Sequence, residues 1–95
     1  MLKEKLQSKE ARLAVIGLGY VGLPLSMEFA RSGFHVVGID TDAEKVRLLG
    51  EGESYIQDVP AEWIRDALDA GTFEATTDFS ALQTVDAVDI CVPTP

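Results

Sequence analysis

The chain has 95 residues, 46% of them hydrophobic, enough for one small globular core and below the usual domain size. Its formal net charge of −8 argues against non-specific binding to nucleic acid or to anionic membrane, both of which need basic surface. Cys91 is the only cysteine and His35 the only histidine, which excludes an intrachain disulfide and argues against a zinc site.

Residues 1–11 read as a leader or short helix, with Leu2 and Leu6 spaced i, i+4, and residues 12–95 as the domain. The N-terminus lacks the apolar core of a signal peptide, and no apolar run approaches the roughly 20 residues that span a bilayer. The cytoplasm is the expected location. Residues 13–16 form an apolar run of the kind that makes a strand buried on both faces.

Three glycines follow, as Gly17-x-Gly19-x-x-Gly22. Gly17 allows a sharp turn from strand to helix, Gly19 leaves backbone bare for a pyrophosphate, and Gly22 lets the helix pack closely on the strand. The helix start offers N–H groups and a partial positive charge to phosphates. This helix is predicted from Tyr20 or Val21 to Ser32, with Pro24 in its first turn and Gly33 as its cap.

The stretch HVVGI, residues 35–39, predicts a second strand, with His35 in a structural or solvent-facing role. Asp40 ends it, 18 residues after Gly22 and near the spacing of a ribose-binding acid. Thr41 or Asp42 caps a second helix with Ala43, Val46 and Leu49 on its buried side, closed by Gly50 and Gly52. Residues 53–59 read as a loop. Pro60 starts a third helix whose apolar face is Trp63, Ile64, Ala67 and Leu68, with Trp63 packing in the core; Gly71 ends it.

Residues 72–76 predict a third strand, Asp78 caps a helical turn over 78–83, and residues 87–92 make a fourth strand interrupted by Asp89. Strands alternating with helical segments predict an α/β domain, its parallel sheet covered on both faces.

Asp40 selects the cofactor. A carboxylate accepts hydrogen bonds from both ribose hydroxyls and repels a 2′-phosphate, so NAD is favoured over NADP. Lys45 either reaches back over the ribose or stands on a solvated face; spacing leaves both open. Pro93 stiffens the loop after the fourth strand, where Thr94 offers a hydroxyl and an N–H towards the cofactor. Cys91 reads as a small buried residue of that strand rather than a nucleophile.

With GLGYVGLPL at residues 17–25, GIDTD at 38–42, EATTDF at 74–79 and CVPTP at 91–95, the chain resembles the UDP-glucose/UDP-mannosamine dehydrogenase family of nucleotide-sugar 6-dehydrogenases. The leader and GTFEATTDFS most resemble the bacterial branch acting on UDP-N-acetylhexosamines, nearest the UDP-N-acetylglucosamine 6-dehydrogenases of surface-polysaccharide synthesis. The resemblance implies a Rossmann-type doubly wound sheet of strand order 3-2-1-4, here cut after the fourth strand.

It also implies that Gly17, Gly19, Tyr20, Val21 and Gly22 meet the pyrophosphate and adenosine end of NAD. Asp40 and Lys45 would hold the ribose, and Pro93-Thr94 would touch the cofactor. The family oxidises the C6 hydroxyl of a UDP-sugar to a carboxylate with two NAD. Its catalytic residues lie downstream, so none is expected here and the chain alone is expected to be inactive, from a homo-oligomeric parent. Two alternatives are another two-domain hydroxy-acid or polyol dehydrogenase and a non-catalytic NAD-sensing module. A fourth strand without its neighbour is expected to favour self-association.

Overall fold

The computed structural model describes residues 11–91. The expected leader and the Pro93-Thr94 segment lie outside the described residues. Strand β1 (Arg12–Ile16) buries Leu13, Ala14 and Val15, so both of its faces are covered, as an unbroken apolar run requires. There follow α1 (Gly22–Arg31), β2 (His35–Ile39), α2 (Ala43–Gly50), α3 (Ala61–Ala70), β3 (Phe73–Thr76), a 3-10 helix (Phe79–Thr84) and β4 (Ala87–Ile90).

The strands form one sheet in the order β3-β2-β1-β4, and every neighbouring pair is parallel. The chain steps from β1 to β2 to β3 in one direction, then returns past β1 and adds β4 on its far side. This is the doubly wound Rossmann arrangement, and the reversal falls between β1 and β4. Ligands of such sheets bind at the carboxyl ends of the strands where the winding reverses.

All three α-helices lie on one face. Val15, Val36 and Phe73 from the sheet pack with Leu23 and Met27 of α1, Leu49 of α2 and Ile64 of α3 in one buried cluster. The other face is smaller: Ala14, Val37 and Ile39 pack under Ala81, Leu82 and Val85. Coverage of both faces by helical layers was the expectation. Among the described residues, only the 3-10 helix crosses the second face, because the connection from β3 to β4 is short. Val88 and Ile90 of β4 accordingly stand 46% and 65% exposed.

Local chemistry sets the boundaries. α1 ends at Arg31, with Ser32 as its cap and Gly33 at φ +99°. Asp42 caps α2, accepting from the Glu44 N–H at 3.0 Å and the Lys45 N–H at 3.4 Å. Ala43, expected on the buried side of α2, is exposed, because this first turn borders an open cleft and only Leu49 is fully buried.

α3 closes with Gly71 at φ +74°, and the Thr72 N–H donates to the Ala67 carbonyl at 2.9 Å. Thr72 thus joins the two elements, its N–H bonded to the helix end and its carbonyl accepting from the Val36 N–H of β2 at 2.8 Å, and β3 starts at Phe73. Trp63 packs half-buried beside the core while the Arg31 guanidinium lies 3.9 Å over its ring. His35 faces solvent, with Nδ1 3.2 Å from the Gly71 carbonyl oxygen.

Candidate functional site

The turn between β1 and α1 is built from three glycines with three different surroundings. Gly17 has φ +94°, and a Cβ there would stand 1.8 Å from the Cys91 carbonyl oxygen. Its N–H donates to the Ile39 carbonyl at 2.8 Å, and the Cys91 N–H donates to the Ile16 carbonyl at 2.7 Å. The turn therefore sits where the ends of β1, β2 and β4 are tied together.

A Cβ on Gly22 would stand 1.6 Å from the Gly17 carbonyl oxygen and 3.4 Å from Cys91 Cβ. The expected close contact of helix and strand is thus a contact of helix and turn. Around Gly19 the surroundings are the reverse: a Cβ there would meet nothing within 4 Å. Two of the three glycines are demanded by the protein's own backbone, and the third borders open space.

Helix α1 begins at this opening. Its N-cap, Val21, makes no side-chain cap bond, and the Leu23 N–H donates to the Gly19 carbonyl at 3.1 Å. The first turn presents the positive end of the helix dipole, which suits a phosphate.

Asp40 follows β2 and is fixed on every side. Its N–H donates to the Thr76 carbonyl at 3.2 Å; its Oδ2 accepts from the Leu18 N–H and its Oδ1 from the Asp42 N–H, both at 2.8 Å. A carboxylate has about four acceptor positions, so two backbone donors leave capacity for a diol. Asp42 is committed to capping α2. Arg47, the nearest arginine on that helix, pairs with Glu44 and, at 2.8 Å, with Glu51, away from Asp40.

Gly17, Gly19, Tyr20, Val21, Gly22, Asp40 and Lys45 all border one cleft of about 750 Å³, within the range of small-molecule sites. Tyr20 and Val21 stand at its mouth, 86% and 62% exposed. Sequence reasoning missed Tyr55, which enters from the 53–59 loop. Its hydroxyl donates to the Leu18 carbonyl at 2.6 Å, and the Lys45 ammonium lies 5.8 Å from its ring centre.

Burial pushes the Tyr55 phenol well above its ordinary pKa, helped by the negative charges of Asp40 and then Asp42. Phe79, from the 3-10 helix, and Cys91 complete the wall. Cys91 was expected within the fourth strand; it lies just past β4, half-buried at the cleft, because its carbonyl packs on Gly17. Burial and then Asp89 raise its thiol pKa, which keeps it protonated and a poor nucleophile. Among the described residues no cluster of three histidine, cysteine or acidic side chains could hold a metal.

The model of the UDP-glucose/GDP-mannose dehydrogenase family, NAD binding domain, matches residues 11–95. UDP-N-acetyl-D-mannosamine dehydrogenase of Pyrococcus horikoshii is 35% identical over 85 residues, covering 88% of this chain and 20% of that protein. GDP-mannose 6-dehydrogenase of Pseudomonas syringae pv. syringae is 35% identical over 86 residues, with 88% and 20% covered.

A crystal structure of a ternary complex of GDP-mannose dehydrogenase from Pseudomonas aeruginosa superposes with a TM-score of 0.82 at 33% identity, over 88% of this chain and 20% of that one. The chain thus spans about a fifth of the length of the relatives it matches. Over that span, glycine turn, acid and sheet order agree with the sequence match, and the chain belongs to the NAD-binding domain of the UDP-glucose/GDP-mannose dehydrogenase family.

Proposed function

We propose that the cleft at the ends of β1, β2 and β4 takes the adenosine and pyrophosphate half of NAD. The observation that carries this reading is the contrast among the glycines. Gly17 and Gly22 have their side-chain space filled by backbone, whereas Gly19 opens onto the cleft that Asp40 faces.

In this reading the first turn of α1, with Gly17, Gly19, Tyr20, Val21 and Gly22, meets the pyrophosphate and the adenosine end. Asp40 accepts from the ribose hydroxyls, and Lys45 closes over them from α2. Pro93 and Thr94 are proposed as further cofactor contacts. The negative charge of Asp40 and Asp42 disfavours a 2′-phosphate, and Arg47 is occupied by its two glutamates, so NAD is preferred to NADP.

The parent activity proposed is oxidation of the C6 hydroxyl of a UDP-hexose or UDP-N-acetylhexosamine to the uronate with two NAD. Bound NAD would supply the hydride acceptor. Residues 12–95 serve it as the N-terminal part of the NAD-binding domain, and residues 1–11 as a leader. No residue of this chain is given a catalytic role. UDP-N-acetylglucosamine is the proposed sugar nucleotide, on the resemblance of GTFEATTDFS. Cytoplasmic supply of surface-polysaccharide precursors by a homo-oligomer is the proposed setting.

Calorimetric titration of the full chain with NAD and NADP tests the binding step. NAD binding with weaker NADP binding is expected. Equal or tighter binding of NADP would overturn the assignment of Asp40.

A further inference from the structure

We propose that Tyr55 is a positioning residue for the pyrophosphate of the bound dinucleotide, acting through the Leu18–Gly19 peptide; this role rests on reading the cleft as the NAD site. Leu18 is held from both sides by groups distant in the chain. Its N–H donates to Asp40 Oδ2 at 2.8 Å, and its carbonyl accepts from the Tyr55 hydroxyl at 2.6 Å. Its side chain is fully buried, with its δ-carbons against the space above Gly38.

The described backbone has no cis peptide, and in a trans peptide C=O and N–H point in opposite directions. The bond that fixes the Leu18 carbonyl therefore fixes the Gly19 N–H, facing away from Tyr55. Gly19 gives that peptide wide freedom, since it has no Cβ and nothing of the protein stands within 4 Å of where one would be. Without the hydroxyl, the peptide nearest the proposed phosphate path would be free to rotate.

Tyr55 is equipped to hold it. The adjacent Ile56 is buried, its N–H donates to Ser54 Oγ at 3.2 Å, and its carbonyl accepts from the Ser54 hydroxyl at 2.9 Å. The Val59 N–H also donates to the Ile56 carbonyl, at 3.0 Å, and Val59 is buried in the same core. The loop is thus anchored on both sides of the phenol. A phenol is protonated at neutral pH, and burial raises its pKa further, so it remains a donor.

The test compares ligands with and without phosphate on the full chain. Tyr55→Phe is expected to weaken NAD and ADP about 3- to 10-fold, the effect of one neutral hydrogen bond, and to leave adenosine unchanged. Unchanged NAD and ADP affinity would overturn the role, as would an equal loss for adenosine, which marks a general loosening of the fold. As a second variant, a fluorinated tyrosine of lowered phenol pKa at position 55 is expected to bind ADP normally at neutral pH. It should lose affinity as that phenol ionises; a pH-independent affinity would contradict the proposal. Absence of NAD binding by the unaltered chain would instead overturn the reading of the cleft, and this role with it.

Discussion

The Gly17 carbonyl oxygen occupies the place of a side chain on Gly22: a Cβ built on Gly22 would lie 1.6 Å from it. Both groups are backbone, so neither yields by changing a rotamer. Gly22→Ala is expected to cost about 3 kcal/mol or more, at the upper end of overpacking effects. Gly19→Ala is the counterpart. With nothing within 4 Å, it is expected to leave stability unchanged or raise it by up to about 1 kcal/mol, while weakening NAD. Thermal unfolding and calorimetry on the two variants check both halves; a destabilised Gly19→Ala would place Gly19 inside the protein's own packing.

Beneath the turn, Leu18 fills the space that a side chain on Gly38 would need. A Cβ on Gly38 would stand 2.8 Å from Leu18 Cδ2 and 3.1 Å from Phe73 Cε1. Gly38→Ala should therefore destabilise the domain, and Leu18→Ala should do so by opening a cavity. The two effects are expected to be non-additive by about 0.5–3 kcal/mol, because removal of the Leu18 δ-carbons makes room for the new methyl. Strict additivity in denaturant unfolding would contradict this packing.

Much of the fold was legible because its signals are local. The apolar run of β1, the glycine spacing, the Asp42 cap and the αL glycine after α3 each act within a few residues. The alternation of strands and helices implies parallel crossovers, whereas the strand order came from the family resemblance. What was missed depends on distant partners. Tyr55 lies in a loop without periodicity, and its partner Leu18 is 37 residues away. Gly38 read as one more residue of β2, since only the depth of Leu18 and Phe73 shows why a side chain cannot stand there. Ala43 has the spacing of a core residue, but the helix start it belongs to borders the cleft.

Tyr55 carries a pH dependence whose sign follows from its raised pKa. The folded state holds the phenol proton more tightly than the unfolded chain does. The resulting stability is complete below the ordinary phenol value, about 10, and is lost as pH rises from there towards the higher folded value. Denaturant unfolding across the alkaline range should show stability falling, and Tyr55→Phe should reduce that slope. An identical slope in the variant would place the titration elsewhere. Asp78 acts in the opposite direction. Hydrogen bonds from Ser80 lower its pKa, so its contribution is present above the ordinary carboxylate range and is lost as pH falls.

Strand β4 pairs with β1, and no second neighbour adjoins it among the described residues, while Val88 and Ile90 remain exposed. An open apolar strand edge is a template for pairing with another chain. Light scattering is expected to show self-association of the chain at high concentration, and Ile90→Lys should suppress it. A monomer at every concentration would contradict this use of the edge.

This turn and Asp40 are proposed to grip the adenosine half of NAD. The most direct measurement is the NAD affinity of Asp40→Ala by calorimetry, with thermal unfolding recorded on the same samples. Loss of hydrogen bonds to a charged acceptor is expected to weaken NAD by about tenfold or more in protein that remains folded. An NAD affinity equal to that of the unaltered chain would contradict the account.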